Sequence, residues 1–502
     1  TKVSAQMTPW LKYSNNISFD TSGYKYGGHS DYEGTINALQ SNICAAFVPF
    51  NPDGTIVQYV NQLGKNSPIG AGRGGQMSAD RSKNSKENRY LTLSNQFDIT
   101  ILKKLVVTAA YDYRQRDRLY KYRNNTFEYS RQQGVLETFT SGSVENAYRE
   151  VHYGYKGHNV NIYGTYENTW GGHHFKATAG GQYEDYRSTS LDVKQTGLSS
   201  DNIDSFTVAT GPITLSQSIS AYRTLGFFGR VNYDYDGKYF FSASYRRDAS
   251  SRFHPDNRWG NFGSVGAAWL MSKETFLRDV KWLDMLKLKV SYGIQGNDDL
   301  LDQSGYSNYY PYQDQYSVGR VDGDFSLTLN YKGNKNITWE SSHSLNVGVE
   351  FGLWDDRLSG SVEYFSRKTS DMLYYKPVPP SLGYSRQPIN VGSMRNAGVE
   401  IQLSAGLLRY KNFSWDLDLN MTHYKNKILS LDGDVPETGL VYSMAIREVG
   451  GSMYDSYLKT YAGVDPNTGK SLWYVDPDNG DYSTTDVYDN ARQARQGSTL
   501  AK

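Results

Sequence analysis

Along most of its length this chain alternates apolar and polar residues with a period of two. That period belongs to the β-strand, where successive side chains point to opposite faces. Leu91, Leu93, Asn95, Phe97 and Ile99 share one face, as do Leu105, Val107, Ala109, Tyr111 and Tyr113. The pattern recurs in Val160–Tyr166, Phe175–Tyr183, Phe227–Tyr235, Tyr239–Tyr245, Leu286–Tyr292, Leu345–Phe351, Leu358–Tyr364, Val399–Leu403 and Phe413–Met421. With Leu11, Tyr13, Asn15, Ile17 and Phe19 near the start, the alternation predicts about thirteen strands. The opposite faces are polar: Arg230, Asn232 and Asp234; Lys287 and Lys289; Asp416, Asp418 and Asn420.

The connections alternate too. Long polar segments at 21–88, 114–157, 185–221 and 296–338 separate strand pairs joined tightly. The tight joints lie after 99, around Trp170-Gly-Gly-His-His174, at Asp236-Gly237, at 352–356 and near 408–411. Intermediate connections fall at 249–259, 271–284 and 368–395. Short turns at one end and long loops at the other describe an outer-membrane barrel, whose strands of about ten residues face lipid on one side and the lumen on the other. Closure matters because hydrocarbon offers no water to an unpaired backbone. A large soluble antiparallel protein with a one-sided core is the alternative reading of the same alternation.

Composition agrees with β structure. The chain of 502 residues carries 43 Tyr, 19 Phe, 9 Trp and 48 Gly, residues that favour strands and turns. No apolar run approaches the roughly 18 residues of a membrane helix; ILKKLVVTAAY at 101–111 is short and broken by charge. A net charge of +1 gives no reason to expect a nucleic-acid partner. Cys44 is the single cysteine, which excludes a disulfide framework and a multi-cysteine metal site.

Catalytic motifs find no support. Gly70, Gly72 and Gly75 fit a dinucleotide pattern, but no strand precedes them and no helix follows. Gly463 and Gly469 before Lys470-Ser471 lie too far apart for a phosphate loop, and Pro466-Asn467 reads as a turn. His173 and His174 are adjacent, point apart, and lack a third ligand, so an interfacial or turn role is expected. Asp476-Pro-Asp-Asn-Gly-Asp481 is rich in oxygen ligands for calcium but lacks EF-hand spacing, and Asx-turns explain it equally well. No cofactor, metal or enzymatic activity is expected.

Several segments carry a resemblance. LGFFGRVNYDYDGKYFFSASYRRDASSRF at 225–253, RWGNFGSVGAAWLMSKE at 258–274, LKLKVSYGIQGN at 286–297, NVGSMRNAGVEIQLSAGL at 390–407 and GGSMYDSYLKTYAGVDPNTGK at 450–470 resemble the SusC/RagA family of TonB-dependent outer-membrane transporters. TPWLKYSNNISF at 8–19 is similar to an earlier strand of the same barrel. The resemblance implies a barrel of 22 strands around a plug, in the outer membrane of a Gram-negative bacterium of the Bacteroidota. It implies a SusD-like lipoprotein lid, the TonB-ExbB-ExbD complex acting through the plug, and import of oligosaccharides or oligopeptides. Residues 1–502 are expected to be part of the barrel with its extracellular loops, the plug and closing strands lying outside this chain. A secreted glycan-binding or glycan-degrading protein and a passive porin are the competing functions.

Residue expectations follow. Asp236-Gly237 is read as a two-residue periplasmic turn. Tyr233, Tyr235, Tyr239 and Phe241 would form part of the membrane-interface girdle in contact with outer-membrane lipid. Phe240 falls on the opposite, lumen side. Candidate ligand contacts in the loops and upper lumen are Trp259, Tyr309, Tyr310, Tyr375, Arg246 and Asp248, with loop packing the competing role for each aromatic and a structural role for the charges.

Overall fold

The computed structural model describes residues 1–27, 82–124, 129–130, 136–137, 147–200, 203–302, 305–321, 323–431, 439–442 and 444–496. Cys44 and the Gly70–Gly75 segment lie outside them. The described residues are β-strand, turn and short 3₁₀ segments, with no α-helix among them. Fourteen strands are hydrogen-bonded in chain order into one sheet. They are β1 Lys2–Thr8, β2 Leu11–Gly27, β3 Ser82–Leu102, β4 Leu105–Asn124, β5 Ala147–Trp170, β6 His173–Thr196 and β7 Ile213–Tyr235. There follow β8 Tyr239–Ser250, β9 Trp259–Leu270, β10 Leu283–Asn297, β11 Glu340–Leu353, β12 Leu358–Pro377, β13 Arg386–Tyr410 and β14 Phe413–Ser430.

Three expectations change. Strand β1, which alternation did not single out, pairs with β2 from Lys2↔Asn16 to Thr8↔Leu11 around the Pro9-Trp10 turn. Many strands are much longer than ten residues: β5 and β6 have 24 each and β13 has 25. They run into what the sequence offered as loop, because polar stretches still satisfy their backbone through a neighbouring strand. The segment at 368–395 is mostly ladder, paired to Pro377↔Arg386 and leaving 378–385 as the connection. Its two strands bend at Asp371 and Gly392, with φ of 54° and 58°, between the pairs Ser370↔Ser393 and Met372↔Val391.

The Asp236-Gly237 turn is also corrected. Both residues are left-handed, with φ of 53° and 58°, and the Lys238 N–H donates to the Tyr235 carbonyl at 2.9 Å. That is the primed turn favoured by Asp-Gly. The first ladder pair is Tyr235↔Tyr239, so three residues, not two, stand outside it.

The chain divides into two compact units. The first holds Thr1–Ile99, Thr108–Asn161 and Tyr183–Arg223. Its ladder β2–β3 keeps Leu11, Tyr13, Asn15, Ile17 and Phe19 opposite Ile99, Phe97, Asn95, Leu93 and Leu91. The Tyr13 and Phe97 rings meet tilted at 4.9 Å, and Arg123 is fully buried against Asp204 and the Ser200 carbonyl.

The second unit holds Thr100–Val107, Ile162–Gln182 and Thr224–Lys502. Its apolar stripe is open: Phe227 is 53% exposed, Val265 50% and Leu417 51%. A soluble sheet buries such a stripe; a lipid-facing one does not. The core of this unit lies among the loops, where Phe253, Leu300 and Ile337 are fully enclosed with Tyr312, Trp339, Leu373 and Tyr375 packed around them. Smaller sheets follow β14, one from Leu440–Tyr442, Ala445–Arg447, Ser456–Lys459 and Gln493–Gln496, another from Tyr461–Val464, Ser471–Asp476 and Asp481–Thr485.

Candidate functional site

On the polar face of β8–β11 a recess of about 530 Å³ opens above a floor of small residues. Ser242 and Ser244 of β8, Ser264 and Gly266 of β9, Ser291 and Gly293 of β10, and Ser344 and Asn346 of β11 line it. Strand pairing puts them in rows: Ser242↔Gly266↔Ser291 and Ser244↔Ser264↔Gly293. Two-residue alternation and register therefore build the floor, each strand sending its small residues to one side and its Val265, Tyr292 and Tyr245 to the other.

Phe262 and Trp339 stand over one end of the recess, edge to face, with ring centroids 5.2 Å apart. Glycines make this possible. A Cβ on Gly260 would sit 2.4 Å from the Phe262 ring, and one on Gly296 would sit 2.1 Å from it. Trp339 is fixed from behind by Phe253 at 5.4 Å and by its indole N–H donating to the Arg258 carbonyl at 2.9 Å.

Arg246 and Asp248 form one wall. The Arg246 Nε–H reaches both Asp248 oxygens at 2.7 Å, a second guanidinium nitrogen donates to Gln182 at 2.8 Å, and the group lies over Phe228. A Cβ on Gly226, the ladder partner of Asp248, would fall 2.1 Å from the carboxylate, so that glycine keeps space for the pair. With Arg246 neutralised, the recess offers hydroxyls and ring faces and little net charge. On the same polar face, Lys287 and Lys289 share Glu350 at 3.4 and 3.0 Å, and Lys289 also meets Glu363 at 2.7 Å.

The other candidate residues fall elsewhere. Trp259 does not hang in a loop: it opens β9, opposite Ala249, on the apolar face beside Phe227 at 6.4 Å, with Arg247 over its ring. It is absent from the recess lining, and its odd register position sets it on the face opposite Phe262 and Ser264. Tyr309 receives the Arg252 guanidinium at 5.2 Å, and Arg252 itself pairs with Asp298 and Asp299 at 3.0 Å. Tyr310 lends its carbonyl to the Tyr331 hydroxyl at 3.4 Å. Tyr375 packs against the loop core, edge-on to Tyr331 at 5.8 Å, beneath Arg386, and takes a hydrogen bond from Asn308. Burial pushes the Tyr331 phenol up to about 12, and the Tyr375 phenol is raised for the same reason. The structure thus joins Arg246 and Asp248 to the recess and gives Tyr375 to the loop core. Phe262, Trp339 and the serine rows were not singled out by sequence reasoning; the signal was small residues at alternate positions on three successive strands.

The short-turn end carries a band of rings on the apolar face. Trp170 and His173 stack at 5.8 Å, Tyr235 and Tyr239 at 6.5 Å, and Tyr239 and Trp269 at 6.2 Å, while His173 and Tyr235 meet tilted at 4.8 Å. Tyr233, whose hydroxyl is 2.7 Å from His173 Nδ1, and its ladder partner Phe241 occupy the same face. Glu274, in the turn after β9, accepts from the Tyr239 hydroxyl at 2.6 Å and the Trp269 N–H at 3.1 Å, and these bonds hold its carboxyl below the usual range. His174 points to the other side, towards Asp234 and Glu167, 2.9 and 3.1 Å away. Phe240 lies on the polar face beside Asn232, Asp234 and Ala268. Among the described residues no group of three or more His, Cys, Asp and Glu is placed to hold a metal. Asp476, Asp478 and Asp481 instead receive bonds from Arg492, the Arg495 N–H and Ser483.

A membrane-facing apolar stripe, a polar inner face and an aromatic band define the wall of an outer-membrane β-barrel. The chain belongs to the TonB-dependent receptor-like β-barrel family, whose model matches residues 10–501. It is 32% identical over 279 residues to a TonB-dependent receptor SusC of Bacteroides thetaiotaomicron, covering 54% of this chain and 27% of that protein. It is 33% identical over 271 residues to the TonB-dependent receptor P39 of Formosa agariphila, covering 54% of this chain and 24% of that protein. Each match thus spans about a quarter of the relative's length. A solved structure of the RagAB peptide transporter superposes with a TM-score of 0.81 at 24% identity, covering 99% of this chain and 53% of that one, a likeness of fold. Membership places the chain in the outer membrane, in a family of receptors and transporters, not enzymes.

Proposed function

We propose that the protein carrying this chain imports oligosaccharides across the outer membrane, powered by TonB and working with a SusD-like surface lipoprotein that covers the loop end. The observation that supports this best is the recess: hydroxyl rows under an aromatic pair, with its one arginine neutralised. Hydroxyl groups exchange hydrogen bonds with the polyhydroxylated units of a sugar oligomer, and an aromatic face suits the apolar face of a sugar ring. The wall here supplies binding surface, and energy enters through the plug. The reading uses no cofactor. An oligopeptide cargo is the second reading, favoured by the fold shared with a peptide transporter.

The test is uptake of labelled oligosaccharide by cells expressing the full-length protein, with and without TonB. Uptake should fall to background without TonB; unchanged uptake would mean a passive pore. Uptake of oligopeptides but not of oligosaccharides would replace the cargo and leave the mechanism standing.

A further inference from the structure

The first unit carries a second, chemically different surface. On β4 the sequence Arg114-Gln-Arg116-Asp-Arg118 continues the alternation of Leu105, Val107 and Ala109, so the three arginines share the face opposite that apolar row. They follow one another at about 6.6 Å along the strand. Among the described residues none of the three makes an ion pair with a carboxylate. The carboxylates on β4 itself are Asp112, on the same face, and Asp117, which points the other way and accepts from Gln115 at 2.7 Å. Across the sheet, Glu184 receives Asn159 at 3.3 Å, and Asp20 stands opposite Tyr90 on β2.

What the arginines do have is rings. Arg116 lies between Tyr90 at 5.1 Å and Tyr155 at 5.8 Å, and Arg118 donates to the Tyr90 hydroxyl at 3.3 Å. The row continues through Tyr155–Tyr186 at 5.7 Å and Tyr186–Tyr222 at 6.1 Å, nearly parallel at 7°. Tyr90, Arg116, Tyr155, Tyr186 and Tyr222 are thus one stack across β3, β4, β5, β6 and β7. Gly157 is part of its construction, since a Cβ there would lie 2.7 Å from the Tyr186 ring. Stacking orients a guanidinium and leaves its edge donors free, which suits bidentate binding of carboxylate or sulfate. The Arg118 Nε is buried without a partner.

We infer that this tyrosine–arginine row is a binding surface for an anionic stretch of the imported oligomer, one bearing carboxylate or sulfate groups at intervals. It rests on the import reading and adds the charge class of the cargo. A neutral sugar would use the rings and leave three cations uncompensated, and an acidic segment of the plug domain is the competing occupant.

The experiment measures binding of two probes, dextran sulfate oligomers and plain dextran oligomers of the same length, to the purified full-length protein in nanodiscs. The R114Q/R116Q/R118Q variant is compared with wild type. Wild type should prefer the sulfated probe, with affinity falling steeply as salt rises. The variant should bind the sulfated probe at least tenfold more weakly, with a shallower salt dependence and unchanged affinity for plain dextran. R116K, which keeps charge but loses the fork, should fall between. Equal affinity of wild type for both probes, or an unaltered sulfated-probe affinity in the variant, overturns the inference. A variant whose plug becomes protease-sensitive while probe binding is retained assigns the row to the plug and likewise overturns it. TonB-dependent uptake of any cargo is scored separately, so loss of this inference leaves import intact, and loss of import shows independently.

Discussion

Gly392→Ala should damage the loop end of the second unit and spare the sheet below it. Gly392 has φ of 58°, and a Cβ there would stand 2.1 Å from the Ser430 carbonyl oxygen and 2.9 Å from its carbon. The left-handed conformation alone costs an alanine about 1–2 kcal/mol. The clash is with backbone, so the end of β14 has to move. That strains the contacts anchored there: Ser393–Ser430 at 2.9 Å, Ile428 N–H to Gly451 at 2.8 Å and Gly450 N–H to Ile428 at 2.9 Å. At about 1 kcal/mol for each of two bonds lost, the total reaches about 3–4 kcal/mol. The same bend is clamped from above by Asn390, whose amide donates to the Asp371 and Thr338 carbonyls at 2.8 Å and accepts from the Thr338 N–H at 2.9 Å. Release should therefore free the β12–β13 arm carrying Leu373 and Tyr375 from the core formed by Phe253, Leu300 and Ile337. The assay is limited proteolysis of the full-length protein in nanodiscs, with urea unfolding in parallel. New cleavage is expected between 370 and 395 together with a loss of about 3–4 kcal/mol. Gly319→Ala, with nothing within 4 Å, is the control. Gly392→Asn eases the φ cost but keeps the clash, so full recovery in that variant, or a loss below about 1 kcal/mol in Gly392→Ala, refutes the reasoning.

Three further outcomes are expected. Val265→Arg puts a charge on the open apolar face, at a cost of up to about 2–4 kcal/mol at mid-bilayer, whereas Ser264→Arg points into the recess; the folded, heat-modifiable band on a gel should disappear only for the former. Gly296→Ala should expel Phe262 from beside Trp339 and lose about 1–3 kcal/mol, but cost under about 0.5 kcal/mol in a Phe262→Ala background, a cycle read by urea unfolding. For Tyr331, burial favours the neutral phenol, so its contribution to stability is full below pH 10 and is lost as pH rises towards about 12. The tyrosinate difference spectrum of Tyr331→Phe against wild type should lack one phenol titrating near 12; a missing phenol near 10 would count against burial as the cause.

Much of the wall was legible. Alternation in GRVNYDYDGKYFFSAS placed Tyr233, Tyr235, Tyr239 and Phe241 on one face and Phe240 on the other, and register confirms those faces pair by pair. Arg246 and Asp248 were legible as polar-face residues because they follow Ser242 and Ser244 at a spacing of two. Trp259 was not, since RWGN reads as loop and only the ladder with β8 fixes its parity. Tyr375 has the look of a ligand contact in sequence and the surroundings of a core residue in space.

By itself the sequence determined the period of two, and with it the two faces, the turn sites and the class of membrane protein. Those are local properties: a side chain's face depends only on its parity along a strand. Strand length, the bend at Asp371 and Gly392, the recess beneath Phe262 and Trp339, and the stack from Tyr90 to Tyr222 were decided by tertiary structure. Each depends on which residue of one strand lies beside which residue of the next, and that register is set by hydrogen bonds between segments far apart in the chain.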